Sequence, residues 1–224
     1  MKIGIIGSGI VGQTLGAKLV ERGEDVVLGT RSPEKLDDKR GMGPPLSEWL
    51  AKTGNKARIV TFADAAAHGE IVINATSGQG SLEALQLAGK ENLAGKILID
   101  VSNPLDFSKG FPPTLTVVNT DSVGEQIQRA FPDAKVVKTL NTTNVFVMID
   151  PGSVGGGNHD LFVSGNDEAA KKRVTELLSS WFGWRSVIDL GDITTARGAE
   201  MLLPLWVRLY STLGTGAFNF KVVR

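Results

Sequence analysis

The sequence predicts an α/β fold of the Rossmann type, in which a doubly wound, mainly parallel sheet carries a short C-terminal sheet extension and a long terminal helix. Two observations predict this class. Short runs of apolar and β-branched residues alternate with helical segments along most of the 224 residues, which is typical of a parallel sheet covered by helices on both faces. The first of these runs, residues 1–6, leads directly into a glycine-rich turn. A ligand is therefore expected at the carboxyl ends of the strands.

The glycine-rich turn has the spacing found in dinucleotide-binding domains. It consists of Gly7, Ser8, Gly9, Ile10, Val11 and Gly12. In this pattern the first glycine permits a tight turn, the second lets the backbone approach a pyrophosphate, and the third lets the helix pack closely on the strand. The helix predicted over residues 11–22 directs its N-terminal amides toward the phosphates. Because a strand precedes the turn and a helix follows it, as the motif requires, these six residues are predicted to bind a dinucleotide.

The end of the second predicted strand, residues 24–28, indicates which dinucleotide is bound. The residues that follow are Gly29, Thr30, Arg31 and Ser32, with Lys35 close behind. Enzymes that use NAD place Asp or Glu in this region to bind the ribose 2′-hydroxyl. Here the guanidinium of Arg31 can instead pair with a 2′-phosphate through two hydrogen bonds, and the hydroxyls and the ammonium beside it add donors. The sequence therefore favours NADP(H) over NAD(H).

The remaining elements continue the alternation. Further strands are predicted at residues 57–61, 70–76, 96–101, 135–140, 160–164 and 186–190. Helices are predicted at 63–68, at 81–88, from Asp121 or Ser122 to Ala130, at 167–181 and at 195–213, the last interrupted at Pro204. A polar helix and loop cover residues 34–55. The length predicts a single NADP-binding Rossmann domain over residues 1–224, with a dinucleotide-binding core at 1–150 and a small C-terminal extension at 151–224.

Composition narrows the class of partner. The chain has 24 Lys and Arg against 24 Asp and Glu, so a formal net charge of zero gives no reason to expect nucleic acid or an anionic membrane. It has no cysteine for a disulfide or thiolate site, and its two histidines are too few for a metal cluster. The apolar N-terminus is too short for a signal peptide, and no apolar run reaches the ~18 residues that span a bilayer. We expect a soluble, cytoplasmic protein that acts on a small molecule.

Small polar residues follow three of the buried strands. The ligand contacts predicted among them are Thr76, Ser77, Asn103, Pro104, Leu140 and Asn141. Because the carboxyl ends of parallel strands share one edge of the sheet, these residues are expected to wall a cofactor trough. The catalytic residues stay unassigned; Lys138 and Asn141 are candidates, and Lys138 is equally compatible with a solvated side chain at the flank of its strand. Since Tyr210 has no lysine four residues on and acid–base groups are scarce, two redox cofactors are expected to perform the chemistry by direct hydride transfer.

Several further segments make the chain resemble the NADP oxidoreductases that use the deazaflavin coenzyme F420. Besides the glycine turn and the Arg31 site, they are residues 101–105, 138–142, 163–167 with Lys171 and Lys172, and 200–205. The resemblance covers nearly the whole chain. It implies that NADP(H) and F420 exchange a hydride with their rings stacked in the trough. It also implies a homodimer in which the C-terminal helix and residues 214–216 contribute to the interface and the substrate pocket.

Two alternatives are left open. Residues 141–144 read Asn-Thr-Thr-Asn, whereas archaeal members of the family tend to have His-Thr-Ile-Pro in this loop. The chain is also similar to the cytosolic reductase domain of animal membrane metalloreductases, which pass electrons to a flavin. The first alternative is therefore an NADPH reductase for a flavin or another small acceptor. The second is a non-catalytic NADP(H) redox sensor, whose helix at 199–213 would present an exposed apolar surface.

Overall fold

The computed structural model describes residues 1–38, 43–54 and 56–224, and over them the predicted Rossmann-type α/β fold is confirmed. The strands are β1 (Lys2–Ile6), β2 (Asp25–Thr30), β3 (Arg58–Thr61), β4 (Ile71–Asn74), β5 (Ile97–Asp100), β6 (Leu105–Asp106), β7 (Thr114–Leu115), β8 (Lys135–Thr139), β9 (Leu161–Ser164) and β10 (Val187–Asp189). The helices are α1 (Ile10–Glu21), α2 (Leu46–Lys52), α3 (Phe62–His68), α4 (Gly78–Ala88), α5 (Lys90–Leu93), α6 (Val123–Ala130), α7 (Val145–Ile149), α8 (Glu168–Phe182), α9 (Ala196–Met201) and α10 (Leu203–Leu213).

The order of the strands defines where a ligand can bind. Eight of them form one sheet in the order β10-β9-β8-β5-β4-β1-β2-β3. β1 pairs in parallel with β2 on one side and with β4 on the other, so the direction of winding reverses between β1 and β4. In open sheets of this kind ligands bind outside the carboxyl ends of the strands at this reversal. The turn after β1 and the loop after β4 are therefore the expected walls of the site.

Helices on both faces bury alternate residues of the strands. Ile5 belongs to a core that includes side chains of α1, α2 and α8, whereas Ile6 belongs to a second core that includes side chains of α3, α4 and α6. Trp49, Trp181 and Trp184 lie in the first of these two cores, and each indole N–H donates to an oxygen, those of Gln13, Glu24 and Met148. Buried tryptophans usually need such an acceptor. Because both faces are covered, the strands read as nearly continuous apolar runs.

The predicted C-terminal sheet extension is present, but it runs against the rest of the sheet. β9 pairs antiparallel with β8, and β10 is parallel to β9. A parallel neighbour needs a crossover connection, and residues 140–160 instead form α7 and two 3₁₀ turns before β9 begins. The structure also has elements that the sequence did not indicate: α7, and an antiparallel pair of β6 with β7 inside the loop before α6.

The terminal helix is broken near Pro204, as predicted. Pro204 lies in the first turn of α10, where its missing N–H would have no acceptor within the helix. After α10 the tail returns to the sheet: the Asp160 amide donates to the Phe220 carbonyl oxygen at 2.9 Å, and the Val222 amide donates to the Asp160 carboxylate at 2.6 Å. Neither α10 nor any other helix in the described part of the chain is long and apolar enough to cross a membrane.

Candidate active site

An open cleft of about 810 Å³ lies where the turn after β1 meets the loop after β4. The predicted cofactor contacts that line this cleft are Gly7, Ser8, Gly9, Thr30, Arg31, Ser32, Lys35, Thr76 and Ser77. The predicted contacts that lie outside its lining are Ile10, Val11, Gly12, Asn103, Pro104, Leu140 and Asn141. The first three of these belong to the opening turn of α1, and the other four belong to the loops after β5 and β8. The volume is within the range of ~300–1,000 Å³ that small-molecule pockets occupy.

The three glycines of the turn differ in why a side chain is absent there. A Cβ on Gly7 would lie 2.6 Å from the Ala75 carbonyl oxygen, and its φ of +116° also favours glycine. A Cβ on Gly12 would lie 2.0 Å from the Gly7 carbonyl oxygen, so the packing of α1 on the turn requires this glycine. A Cβ on Gly9 would meet no protein atom within 4 Å. Folding therefore does not explain Gly9, and the space that it leaves lies at the N-terminal end of α1.

The start of α1 fits a phosphate group. The helix begins directly after Gly9, with no side-chain cap and no acidic residue in its first turn. The first amides of a helix have no acceptor within it, and the helix dipole gives this end a partial positive charge. Ile10, Val11 and Gly12 therefore offer backbone N–H groups rather than side chains. With the space beside Gly9 they form a cradle that suits a pyrophosphate.

The end of β2 supplies the second feature of the cleft. Gly29 is buried, and a Cβ on it would lie 2.9 Å from the Cβ of Ala65 in α3, so packing accounts for this glycine. The last residue of β2 is Thr30, which is 2% exposed. Its Oγ1 accepts the Ser32 amide at 3.5 Å, and Arg31 is exposed between them. A guanidinium thus stands at the strand end where a carboxylate would serve NAD.

Some lining residues of the cleft were not indicated by the sequence. They are Asp38, Phe62, Ala75, Gly80, Glu83, Ala84 and Leu87. Phe62 follows β3 directly and is 7% exposed, whereas Leu87 is 54% exposed and offers most of the apolar surface of the two. The carboxylates of Asp38 and Glu83 line the same cleft. The position of Phe62 after the carboxyl end of a strand is a signal that could have found it, whereas the residues of α4 carry no motif.

The loops after β5 and β8 are tied together beside the cleft. Asn103 Nδ2 donates to the Asn141 carbonyl oxygen at 2.8 Å, and Asn141 Nδ2 donates to Asn103 Oδ1 at 3.0 Å. The Pro104 carbonyl oxygen in turn accepts the Thr116 amide at 2.8 Å. We call the surface formed by Thr76, Ser77, Asn103, Pro104, Leu140 and Asn141 the trough. Its two asparagines are thus held by each other as well as by their own loops.

The loop after β8 has a strained residue, Leu140 of the trough, and a buried hydroxyl without a partner, that of Thr143. Leu140 is buried and has a φ of +62°, a conformation that costs an L-residue about 1–2 kcal/mol. Such residues concentrate at ligand sites, where the surroundings impose the conformation. Among the described residues, the Thr143 hydroxyl is buried without a hydrogen-bond partner. Buried hydroxyls normally have one, so this loop departs from ordinary packing at both Leu140 and Thr143.

Lys138, a candidate catalytic residue, lies beneath the trough. Its side chain is 0% exposed, which corrects the alternative of a solvated side chain. Its Nζ is 2.9 Å from Asp100 Oδ2, 2.8 Å from Glu200 Oε1 and 2.5 Å from the Ser102 carbonyl oxygen. Burial alone would lower the pKa of Lys138, but the charges of Asp100 and Glu200 together raise it above its ordinary value. All three of these contacts join the Lys138 ammonium to buried groups of the protein.

Lys138 belongs to a line of buried polar residues across the sheet. Asn74, Asp100 and Lys138 are paired neighbours on β4, β5 and β8, and none is more than 1% exposed. We call these three residues the polar row. Asn74 Nδ2 donates to Asp100 Oδ1 at 2.9 Å, and Asn74 Oδ1 accepts the Thr76 hydroxyl at 2.7 Å. Through Asn74, the polar row is therefore bonded to Thr76, which lines the cleft.

The fold and the cleft define the class as a Rossmann-type dinucleotide-binding protein. The sequence profile described as "NADP oxidoreductase coenzyme F420-dependent" matches residues 2–104. The F420-dependent NADP reductase of Methanocaldococcus jannaschii is 32% identical over 223 residues, which cover 96% of this chain and 96% of that protein. The chain therefore belongs to the F420-dependent NADP oxidoreductase family and is an NADP-dependent oxidoreductase.

Two further similarities extend over the chain. A crystal structure from Arthrobacter sp. FB24, provisionally described as an F420-dependent NADP reductase, is 57% identical and superposes with a TM-score of 0.95 over 100% of both chains. The rat metalloreductase STEAP3 is 29% identical over 222 residues, which are 97% of this chain and 40% of that protein. The chain thus corresponds to less than half of the metalloreductase.

Proposed function

We propose that this protein transfers a hydride between NADP(H) and the deazaflavin coenzyme F420. The observation that carries the proposal is one continuous carboxyl edge, which joins the α1 cradle and Arg31 to the trough. We take F420 as the second ring because two relatives are named F420-dependent NADP reductases. With both cofactors bound, NADPH would supply the hydride and oxidised F420 would accept it.

The cleft would hold the adenosine and phosphate end of NADP(H). The first amides of α1 would bind the pyrophosphate in the space beside Gly9. Arg31, with Lys35 and the hydroxyls of Thr30 and Ser32, would bind the 2′-phosphate through charge-assisted hydrogen bonds. Phe62 and Leu87 lie in the same lining and would contact the adenine.

The trough would hold the nicotinamide and the deazaflavin. Its side chains are hydroxyls, amides and apolar groups, which suit the orientation of two rings rather than proton transfer. The paired carboxamides of Asn103 and Asn141 fix two of its walls. Direct transfer needs the reacting atoms to be held at near-contact distance, and a rigid trough meets that need.

A second candidate is an NADPH reductase for a flavin or another small acceptor. The similarity to the metalloreductase STEAP3 across 97% of this chain favours it, since that protein is named for a different final acceptor. The dinucleotide end of the site would be unchanged. Only the ring that occupies the outer part of the trough would differ.

We further propose a cytoplasmic homodimer formed through α10. Leu205, Tyr210 and Leu213 are 51%, 41% and 54% exposed along this helix, while Trp206 stacks between Tyr210 and Phe218. An exposed apolar face on an otherwise ordered helix suits a contact with a second copy. Sedimentation should give twice the chain mass of 23.8 kDa; a single-chain mass at all concentrations would contradict the dimer.

The acceptor is tested by mixing the protein and NADPH with oxidised F420, FMN or FAD in parallel. We expect loss of the visible absorbance of F420 at a rate well above that of either flavin. Faster reduction of FMN or FAD would favour the second candidate. Tight NADPH binding without reduction of any acceptor would contradict both enzymes and favour a redox sensor.

A further inference from the structure

We propose that Glu200 and Lys138 are positioning residues that fix the loops at the nicotinamide end of the site. The proposal rests on the proposed function in one respect: the nicotinamide is taken to lie against Thr76 and Asn103. Neither charged residue lines the cleft. Both would act through the polar row, so that the C-terminal segment controls the geometry of the trough.

Glu200 connects three elements from the C-terminal side. It lies in α9 and is 1% exposed. Its Oε1 is 2.8 Å from Lys138 Nζ and accepts the Gly124 amide at 3.0 Å, while its Oε2 accepts the Val123 amide at 2.8 Å. Those amides begin α6, whose dipole favours a negative charge at this end. One carboxylate therefore joins α9, α6 and β8.

Asp100 carries the connection to the loop after β5. Its Oδ2 is bonded to Lys138, and its Oδ1 accepts the Ser102 amide at 3.1 Å and the Ser102 hydroxyl at 2.7 Å. These bonds close the turn that leads to Asn103 in the trough. Lys138 also bonds the Ser102 carbonyl oxygen. The backbone before Asn103 is therefore held from both sides by one ion pair.

Asn74 carries the connection to the loop after β4. The side-chain Nδ2 of Asn74 donates to the same Asp100 Oδ1. The Oδ1 of Asn74 accepts both the backbone amide of Thr76, at 3.3 Å, and the Thr76 hydroxyl, at 2.7 Å. Ser81 in α4 adds a bond to each of them: it accepts Asn74 Nδ2 at 3.1 Å and its hydroxyl is 2.8 Å from that of Thr76. The orientation of a single carboxylate, Asp100, thus sets two loops of the trough.

Stability alone gives weak reason for three charges at this place. Desolvating an ion pair often offsets its attraction, so apolar residues of similar volume can be as stable. A network whose members are all satisfied does, however, hold a unique arrangement of the groups around it. That property is what a site for direct hydride transfer needs.

Glu200→Gln tests the proposal because it keeps the shape and removes the charge. The probes are NADPH and 2′,5′-ADP, which has the adenosine end and lacks the nicotinamide. We expect the dissociation constant for NADPH to rise about five-fold or more, the order of one lost hydrogen bond, while that for 2′,5′-ADP changes less than two-fold. Reduction of F420 should lose kcat by at least the same factor.

Glu125→Gln is the matched control. Glu125 is also buried and also pairs with the C-terminal segment, because its carboxylate accepts two bonds from Arg197, from Nη2 at 2.5 Å and from Nε at 2.8 Å. Its third bond comes from the Ser122 hydroxyl and not from the polar row. We expect it to leave both dissociation constants unchanged. Equal weakening of NADPH and 2′,5′-ADP by Glu200→Gln, or no weakening of either, would overturn the proposal.

Ser102→Ala provides a milder variant that keeps all three charges, and it decides the matter where Glu200→Gln does not fold. It removes the Ser102 hydroxyl bond to Asp100, so the same selective loss of NADPH affinity is expected at about two-fold to five-fold. An equal change for both probes, or none, would overturn the proposal here too. A wild-type protein that binds NADPH without reducing F420 would contradict the proposed function, and the two affinities would still judge this proposal separately.

Discussion

The turn after β1 and the end of β2 form one side of the cleft and the cradle beside it from two short stretches of sequence, residues 7–12 and 30–35. The trough instead depends on the loops after β4, β5 and β8 and on a carboxylate from α9. In the first of these two regions the N-terminal amides of α1 have no side-chain cap, the Arg31 guanidinium is exposed, and the space beside Gly9 is empty of protein atoms. In the trough the binding groups are held by buried bonds, including the reciprocal pair of Asn103 and Asn141. If the proposed binding mode holds, affinity for the nucleotide is a local property and the geometry of the rings is a property of the whole fold.

The largest expected effect comes from Lys138→Met. This change leaves Asp100 and Glu200 buried without their cation, and breaking a buried pair in this way typically costs ~3–5 kcal/mol. Denaturant unfolding should show a loss of that order. Lys135→Met on the same strand is the control, since Lys135 is 42% exposed in its pair with Asp167 and such pairs contribute at most ~1 kcal/mol. Similar losses for both variants would contradict the distinction between a buried anchor and a surface pair.

Arg31→Glu tests the cleft. It removes a charge-assisted bond to the 2′-phosphate, worth about 1.5–3 kcal/mol, and adds repulsion. Calorimetric titration should show NADPH affinity falling by at least ten-fold, the size of about 1.4 kcal/mol. Binding of NADH, which has no 2′-phosphate, should be nearly unchanged. An unaltered NADPH affinity would show that the end of β2 does not select the cofactor.

Two glycine variants separate folding from binding within the cleft. Gly12→Ala would place a Cβ 2.0 Å from a carbonyl oxygen, and overpacking of this kind costs about 1–3 kcal/mol of stability. Gly9→Ala meets no protein atom, so the free energy of unfolding should stay within about 0.5 kcal/mol while NADPH binding weakens. Unfolding curves and NADPH titrations of both variants check this. Gly9→Ala with full NADPH affinity would argue against a pyrophosphate beside Gly9.

The smallest effect is expected at Asp121, a partly exposed carboxylate next to α6. Two bonds from Arg129, at 2.9 and 2.7 Å, lower the pKa of Asp121 to about 2. The ordinary value is ~3.9, so the pair stabilises the fold above that pH, and its contribution declines as pH falls toward 2. Since Arg129 is 60% exposed, Asp121→Asn should cost less than ~1 kcal/mol at pH 6, and less at pH 3. A stability gap that widened on acidification would contradict this sign.

The contrast between the cleft and the trough also explains which parts of the molecule the sequence could predict. The residues that the turn after β1 and the end of β2 contribute to the cleft follow from local motifs, because Gly7, Gly12 and Arg31 act within a few residues of the strands that carry them. The lining residues of α4 carry no motif and could not be predicted in this way. Glu200 could not be linked to Lys138, which lies 62 residues away along the chain, because no local pattern records a buried ion pair. The antiparallel direction of β9 could not be predicted for a similar reason, because it depends on how residues 140–160 fold before β9.

Direct transfer between two rings held in one trough is the central claim, and NADPH labelled with deuterium at C4 of the nicotinamide tests it most directly. Reduced F420 carries the incoming hydrogen on carbon, so it does not wash out into water as a flavin N–H does. Single-turnover reduction followed by mass spectrometry should find deuterium in F420 when the transferable face of NADPH is labelled. Reduced F420 without deuterium, formed at an unchanged rate, would contradict the account.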